Sequence, residues 1–177
     1  MTYEESKSAY QSYVDEHINN VVLIWEEIKN SVLESLNLDQ ETITKVEANI
    51  EKHDESKKSE KEFDAYRAKF FTSEMDTKDI ESNFHEAWAH HVANNPHHWD
   101  YWVTIHNSLP YPCKMKEEYI IEMLCDWTAM SYKFKGSLVD WYEDNKVKII
   151  LALRTREEVE NLIPIFESTL SRLTKNS

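Results

Sequence analysis

The sequence predicts an all-α fold, a single-domain helical bundle of about six to eight helices over 1–177. Three observations carry this. Only one glycine, Gly136, occurs in 177 residues, and tight hairpins consume glycine whereas helices exclude it. Apolar residues recur at three- and four-residue spacing along most of the chain. A hydrophobic content of 41% at this length fills one core rather than two, and no repeat, low-complexity tract or linker divides the chain.

The elements follow in order. Thr2 and Glu5 have the spacing of a capping box and open a long helix to about Leu36. Its apolar stripe is Val14, Val21, Ile24, Trp25, Ile28 and Val32, with His17 on the same stripe. Asp39 is the N-cap of a second helix carrying Ile43, Val46 and Ile50. Continuing that spacing lands on His53, with Asp54 following at the helix end. Ser59 and Glu62 start a short helix holding Phe63, Tyr66 and Phe70, and the polar residues 72–78 form a loop. From about Asp79 a fourth helix sets Ile80, Phe84, Trp88 and His91 on one face until Asn94-Asn95-Pro96 stops it. His97-His98-Trp99 begins a short aromatic segment, and Pro110 and Pro112 bracket a connector. Lys116 to about Lys133 is a strong helix with Tyr119, Met123, Asp126 and Met130 on one side. A helix around Leu138–Asn145 follows. Thr155 with Glu158 opens the last helix, which carries Val159, Leu162, Phe166, Leu170 and Leu173 and contains Pro164.

A net charge of −13 opposes sequence-independent binding to nucleic-acid phosphates, so no nucleic-acid partner is expected. A small phosphorylated substrate is not opposed, because bound metal reverses the sign locally. No apolar run approaches the ~20 residues that span a bilayer. The start is acidic, and the two cysteines, Cys113 and Cys125, suit free thiols in a reducing compartment. The expectation is a cytoplasmic protein without membrane attachment; a homodimer is compatible with the sequence.

His53-Asp54, with Lys57 three residues on, is the most informative string. Neighbours on a helix point about 100° apart, so both can reach one site only at a helix end or across a seam. His17, His53, His91 and Asp126 each stand where periodicity expects an apolar residue. Burying a carboxylate costs several kcal/mol unless it is paired or bound to metal. One such residue is commonly a hydrogen-bonded core group. Four on four helices, all His or Asp, point to a divalent metal site.

Six of the eight histidines fall between His85 and His106. The doublets His90-His91 and His97-His98 lie among Trp88, Trp99 and Trp102, so one member of each can face the site while the other supports it. His85 joins the supporting candidates, and His106 is read as structural. Lys57 can hold a phosphate oxygen as a point charge, or belong to an ordinary charged run. Glu122, one turn before Asp126, either supports the site or faces solvent, the commoner fate of a lone Glu. The tryptophans, Trp88 and Trp99 first, either stack a base or pack in the core.

The order His17, His53-Asp54, further histidines and a late Asp126 resembles the HD-domain superfamily of metal-dependent phosphohydrolases. Members with additional histidines and a Lys three residues after the HD Asp, as in His53-Asp54-Glu55-Ser56-Lys57, hold two metals. The resemblance implies an HD-type helical bundle whose Mn, Fe, Co, Ni, Zn or Mg centre hydrolyses phosphate esters, often of nucleotides. In that reading His17, His53, Asp54 and Asp126 hold one ion. His91, His97 and His98 hold a second, and Asp54 bridges them. Asp54 and Lys57 are the catalytic candidates, and Lys57, Trp88 and Trp99 bind substrate. His-Asp-x-Ser-Lys, Ala87-Trp88-x-His90-His91, Asn94-x-x-His97-His98-Trp99 and Asp126-Trp127 are similar to strings of an HD-like family of bacteria and phages with no settled activity. Leu109-Pro110-Tyr111-Pro112 is not the Gly-Tyr-Pro signature of the cyclic-dinucleotide branch, and Ser56 stands where that branch prefers Gly. The competing class is a metal-stabilised helical binding or inhibitor protein without turnover, which would present a closed metal site. The blandest reading is a helical protein with merely buried histidines.

Overall fold

The structure, a computed structural model, describes residues 2–72 and 78–176. Its elements are α1 (Tyr3–Leu36), α2 (Gln40–Glu51), a 3-10 turn (Glu55–Lys58), α3 (Phe63–Phe71) and α4 (Lys78–Asn94). A second 3-10 turn (Trp99–Trp102), strands β1 (Val103–His106) and β2 (Leu109–Pro112), and helices α5 (Glu117–Phe134), α6 (Leu138–Asn145) and α7 (Leu153–Asn176) complete it. The all-α bundle is borne out, with seven α-helices among the described residues.

Local chemistry sets several boundaries. Thr2 and Glu5 form the reciprocal capping box: Thr2 Oγ1 accepts from Glu5 N at 3.2 Å and Glu5 accepts from Thr2 N at 2.7 Å. Asp39 caps α2 by accepting from Thr42 N at 2.7 Å, and Ser137 caps α6 through Asp140 N at 3.1 Å. Two cap assignments need correction. Ser59 makes no cap hydrogen bond and α3 begins only at Phe63, because Glu62 is engaged elsewhere. Thr155 lies inside α7, where its hydroxyl accepts from Met115 N at 3.1 Å and ties the α5 approach to the last helix.

The connector around Pro110 is an antiparallel hairpin, pairing Val103 with Pro112 and Ile105 with Pro110. Its turn holds Asn107 at φ 50° and Ser108 at φ 64°, the left-handed conformations a two-residue hairpin needs. Asn enters this region through its short polar side chain, so a glycine-poor chain still makes a hairpin. Prolines are tolerated because a two-stranded sheet has free edges. The loop expected over 72–78 ends before Lys78, which begins α4, and 73–77 lie outside the described residues.

α1 packs against α5, α7 and α3; α5 also packs on α7 and α2, and α3 on α4. The main core joins Ile24, Ile28 and Val32 of α1 to Val46 and Ile50 of α2, Ile121 and Leu124 of α5, and Phe166 and Leu170 of α7. A second apolar cluster holds Tyr10, Val14, Tyr66 and Ala87, with Phe63, Phe71, Phe84 and Trp88 against it. Val14 belongs to one cluster and Val21 to the other. His17 lies between them on the same face, so the polar site forms where the two apolar bodies meet. No helix among the described residues is long and apolar enough to cross a membrane.

Leu124 is fully buried in the main core. Leu124→Ala should lower unfolding free energy by about 2–5 kcal/mol, read as a reduced urea midpoint with unchanged slope.

Candidate metal centre

The centre is assembled from five places in the chain, each positioned by a local rule. α1 brings His17 through its apolar periodicity. α2 ends at Glu51, and the chain turns so that His53 and Asp54 both point inward. Asp54 adopts φ 57°, a left-handed conformation that Asp tolerates, and its carbonyl accepts from Lys57 N at 2.9 Å. α4 supplies His91. The segment after Pro96 supplies His97 and His98 and is pinned from both sides. Asn95 Nδ2 donates to His91 O at 2.7 Å, and Trp102 Nε1 donates to Pro96 O at 2.7 Å. α5 supplies Asp126.

These side chains converge as two clusters that share one carboxylate. In the first, His17 Nε2 lies 3.1 Å from Asp126 Oδ1, 3.4 Å from Asp54 Oδ2 and 3.3 Å from His53 Nε2. His53 Nε2 is 3.6 Å from Asp54 Oδ2. In the second, the other oxygen, Asp54 Oδ1, lies 3.3 Å from His91 Nε2 and 3.7 Å from His97 Nε2. His91 Nε2 is 2.8 Å from His98 Nε2.

A divalent ion with nitrogen and oxygen ligands at about 2.1 Å sets neighbouring ligand atoms about 3.0 Å apart in an octahedron and about 3.4 Å apart in a tetrahedron. The observed spacings scatter around those edges. Hydrogen bonding alone does not account for the arrangement: Asp54 Oδ1 and His97 Nε2 are buried with no hydrogen-bond partner, and such orphans are costly. Donor type, spacing and orphaned atoms all fit a metal ion.

Two buried carboxylates hold the imidazoles from behind. Glu122 Oε1 sits 3.0 Å from His53 Nδ1 and 2.9 Å from His97 Nδ1, touching one ring of each cluster. Glu62 Oε2 sits 2.9 Å from His91 Nδ1, and its other oxygen 2.6 Å from His90 Nδ1. At His53 and His91 the hydrogen bond to Nδ1 leaves Nε2 facing the centre, the usual way a protein orients a metal-binding histidine, whereas His97 Nδ1 meets Glu122 as an ion-pair contact without hydrogen-bond geometry.

The electrostatics are those of a charge-dense pocket. Burial would raise the Asp54 carboxyl, but the Lys57 ammonium and His53 outweigh it and hold Asp54 well below the usual carboxylate range. Lys57 Nζ lies 2.6 Å from Asp54 Oδ2. Burial would lower the Lys57 ammonium, and Asp54 more than compensates. Burial likewise opposes protonation of His17, yet the hydrogen bonds that Asp126 and Asp54 accept from it lift it to about 9. His98 behaves oppositely: burial, with His97 and His91 adding repulsion, brings it down to about 2, so its ring is neutral.

His17, His53, Asp54, His91, His97, His98 and Asp126, all read from sequence as ligand candidates, come together here. Both members of the second doublet face inward, while His90 stands behind His91 on Glu62. One reading is corrected. His85 is 73% exposed at its side chain, its nearest charged partner being Glu81 on the outer face of α4; histidine density along a helix does not fix direction. Of the two readings offered for Glu122, the structure has the supporting one: it is buried, because the α5 face it shares with Asp126 turns into the bundle. Trp88 walls the centre, its ring 5.8 Å from His91 and 5.1 Å from His98. Trp99 and Trp102 pack on the main core, and Trp127 pairs with Trp141 at 5.0 Å away from the histidines, so the tryptophans form no common stacking pocket. His106 lies on the exposed hairpin. Glu62 was concealed by its capping-box spacing from Ser59; its signal was a buried-helix partner for the His90-His91 doublet.

Residues 6–165 match the model of a family of unknown function, DUF5662. The chain belongs to this family. No curated protein and no solved structure matches it. The matched span contains every residue of the centre from His17 to Asp126.

Two outcomes follow. Glu62→Gln should weaken metal binding by about 10- to 100-fold, whereas His85→Ala leaves it unchanged, as read by competition against a chromophoric chelator. Because the proton on His17 occupies the nitrogen a metal needs, binding should release protons. Apparent affinity should then rise with pH up to about 9. Calorimetry in buffers of different ionisation heat measures that release.

Proposed function

We propose that this protein is a metal-dependent phosphohydrolase of the HD-domain type, acting through a two-metal centre on a small phosphate ester. The observation that carries the reading is the division of Asp54: one oxygen serves the His17, His53 and Asp126 cluster, the other serves His91, His97 and His98. A carboxylate placed between two ligand sets would suit a two-ion phosphoryl clamp.

When bound, divalent metal supplies Lewis acidity that brings the pKa of water toward neutrality and polarises phosphoryl oxygens. The chain's own groups do the rest. Glu122 and Glu62 fix the tautomers and ring planes of His53 and His91, and Glu122 sets its negative charge beside His97. Lys57, held on Asp54 and 18% exposed at its side chain, carries the remaining positive charge to the surface side of the centre, where it faces a phosphoryl oxygen. Trp88 covers the second cluster and excludes water. Partial access at one edge suits turnover better than a purely stapling role: the Asp126 side chain is 15% exposed and that of Lys57 18%, and a structural site is closed. Mn, Fe, Co, Ni and Zn all suit this donor set.

The test is elemental analysis of protein purified without chelator, followed by assay against phosphomonoesters and nucleotides. Asp54→Ala should lose metal from both clusters and all hydrolysis. Lys57→Ala should keep its metal and lose about 10²- to 10³-fold in kcat. Wild type without reloadable metal, or metal-loaded protein inert on every ester, would sink the assignment.

A further inference from the structure

Beside the centre lies a cavity of about 330 Å³ lined by Tyr10, Tyr13, Lys57, Tyr66, Phe70 and Phe71. Five of these six residues are aromatic. Phe70 is 58% exposed, so the cavity opens at the surface. Lys57 is the inner link, lining the cavity while its ammonium rests on Asp54 at 2.6 Å. The Tyr66 ring lies 5.9 Å from the ring of His91. The cavity is thus contiguous with the metal ligands through two independent residues.

Its walls are ordered as ring-on-ring contacts. Tyr10 stacks on Tyr66 at 6.3 Å with planes 17° apart, and Phe71 packs on both Tyr10 and Tyr13 at 5.5 Å. Lys57 is the lone charged group in the lining, which gives a polyol or an anionic organic group little to bind beyond that one ammonium. An aromatic ring, in contrast, gains both apolar burial and ring contacts. The hydroxyls of Tyr10 and Tyr66 are buried without a hydrogen-bond partner. Unsatisfied buried hydroxyls destabilise a fold, and phenylalanine at either position would keep the ring while removing that cost.

We propose that this cavity receives the organic group of the substrate, and that this group is a flat aromatic ring. The inference rests on the phosphohydrolase reading and specifies its substrate class. Lys57 then meets the ester at the junction of ring and phosphoryl group. In the reaction the oxygen of water joins phosphorus and the ester P–O bond breaks. The organic group leaves as its alcohol or phenol, carrying one proton from that water.

Binding of two phosphonates that cannot be hydrolysed tests this on Mn²⁺-loaded protein by calorimetry. Phenylphosphonate should bind about tenfold tighter than methylphosphonate, a ratio typical of burying one ring. In Phe71→Ala the ratio should fall below about threefold with methylphosphonate affinity unchanged. Should Phe71→Ala fail to fold, Tyr13→Leu takes its place with the same expectation. Tyr10→Phe and Tyr66→Phe should keep or raise the melting temperature. Both keep the aromatic ring and should therefore leave the preference for phenylphosphonate in place. Equal affinity for the two simple phosphonates, no binding of either, or a preference that survives Phe71→Ala and Tyr13→Leu overturns the cavity's role. The phosphohydrolase reading fails separately: ring preference present and wall-dependent, but no phosphate ester hydrolysed. If glycerol phosphate and phenyl phosphate are hydrolysed equally while the phosphonates bind equally, the hydrolase stands and the ring subsite is overturned.

Discussion

A buried carboxylate, Asp54, is the constraint on which this structure turns. Placing an ionised carboxylate in a protein interior costs several kcal/mol unless charges and hydrogen bonds answer it. Here the answer comes from the Lys57 ammonium on one side and imidazoles from α1, α4 and the two inter-helix turns on the others. Local backbone follows from the same requirement. α2 has to end one turn early, and Asp54 has to take a left-handed conformation, for adjacent residues to face one point.

The imidazoles gathered around that carboxylate would repel one another if they were all protonated, and would wander if they were not anchored. Glu62 and Glu122 remove both difficulties. Each offers negative charge to the rear nitrogens, and together they bind three of the ring systems to α3 and α5. His98, whose Nε2 meets His91 Nε2 rather than a glutamate, is the ring that burial drives to neutrality. The chain's acidity, a net charge of −13, is therefore partly internal, committed to holding histidines rather than spread over the surface.

Much of this was legible in the sequence. His17, His53, His91 and Asp126 interrupt apolar stripes, and an interruption on a buried face identifies itself. The orientation of doublets did not, because His97-His98 follows a proline and leaves helical geometry, where periodicity says nothing. Glu62 and Glu122 were obscured for different reasons. A glutamate three residues after a serine looks like a cap, and a lone glutamate on a helix looks solvated; only tertiary packing shows that each faces a ring nitrogen. The hairpin escaped because its left-handed turn positions are filled by Asn107 and Ser108 rather than glycine.

α1 runs for 34 residues, about 50 Å at 1.5 Å per residue, and threads both apolar clusters on one rod. Such a helix cannot fray at one cluster without losing the lever arm that orients the other. The consequence is that His17, on the rod between Val14 of one cluster and Val21 of the other, keeps its place only while the helix holds at both. Truncation that loosens either end of the rod would therefore shift His17 against Asp54, His53 and Asp126, which other elements carry.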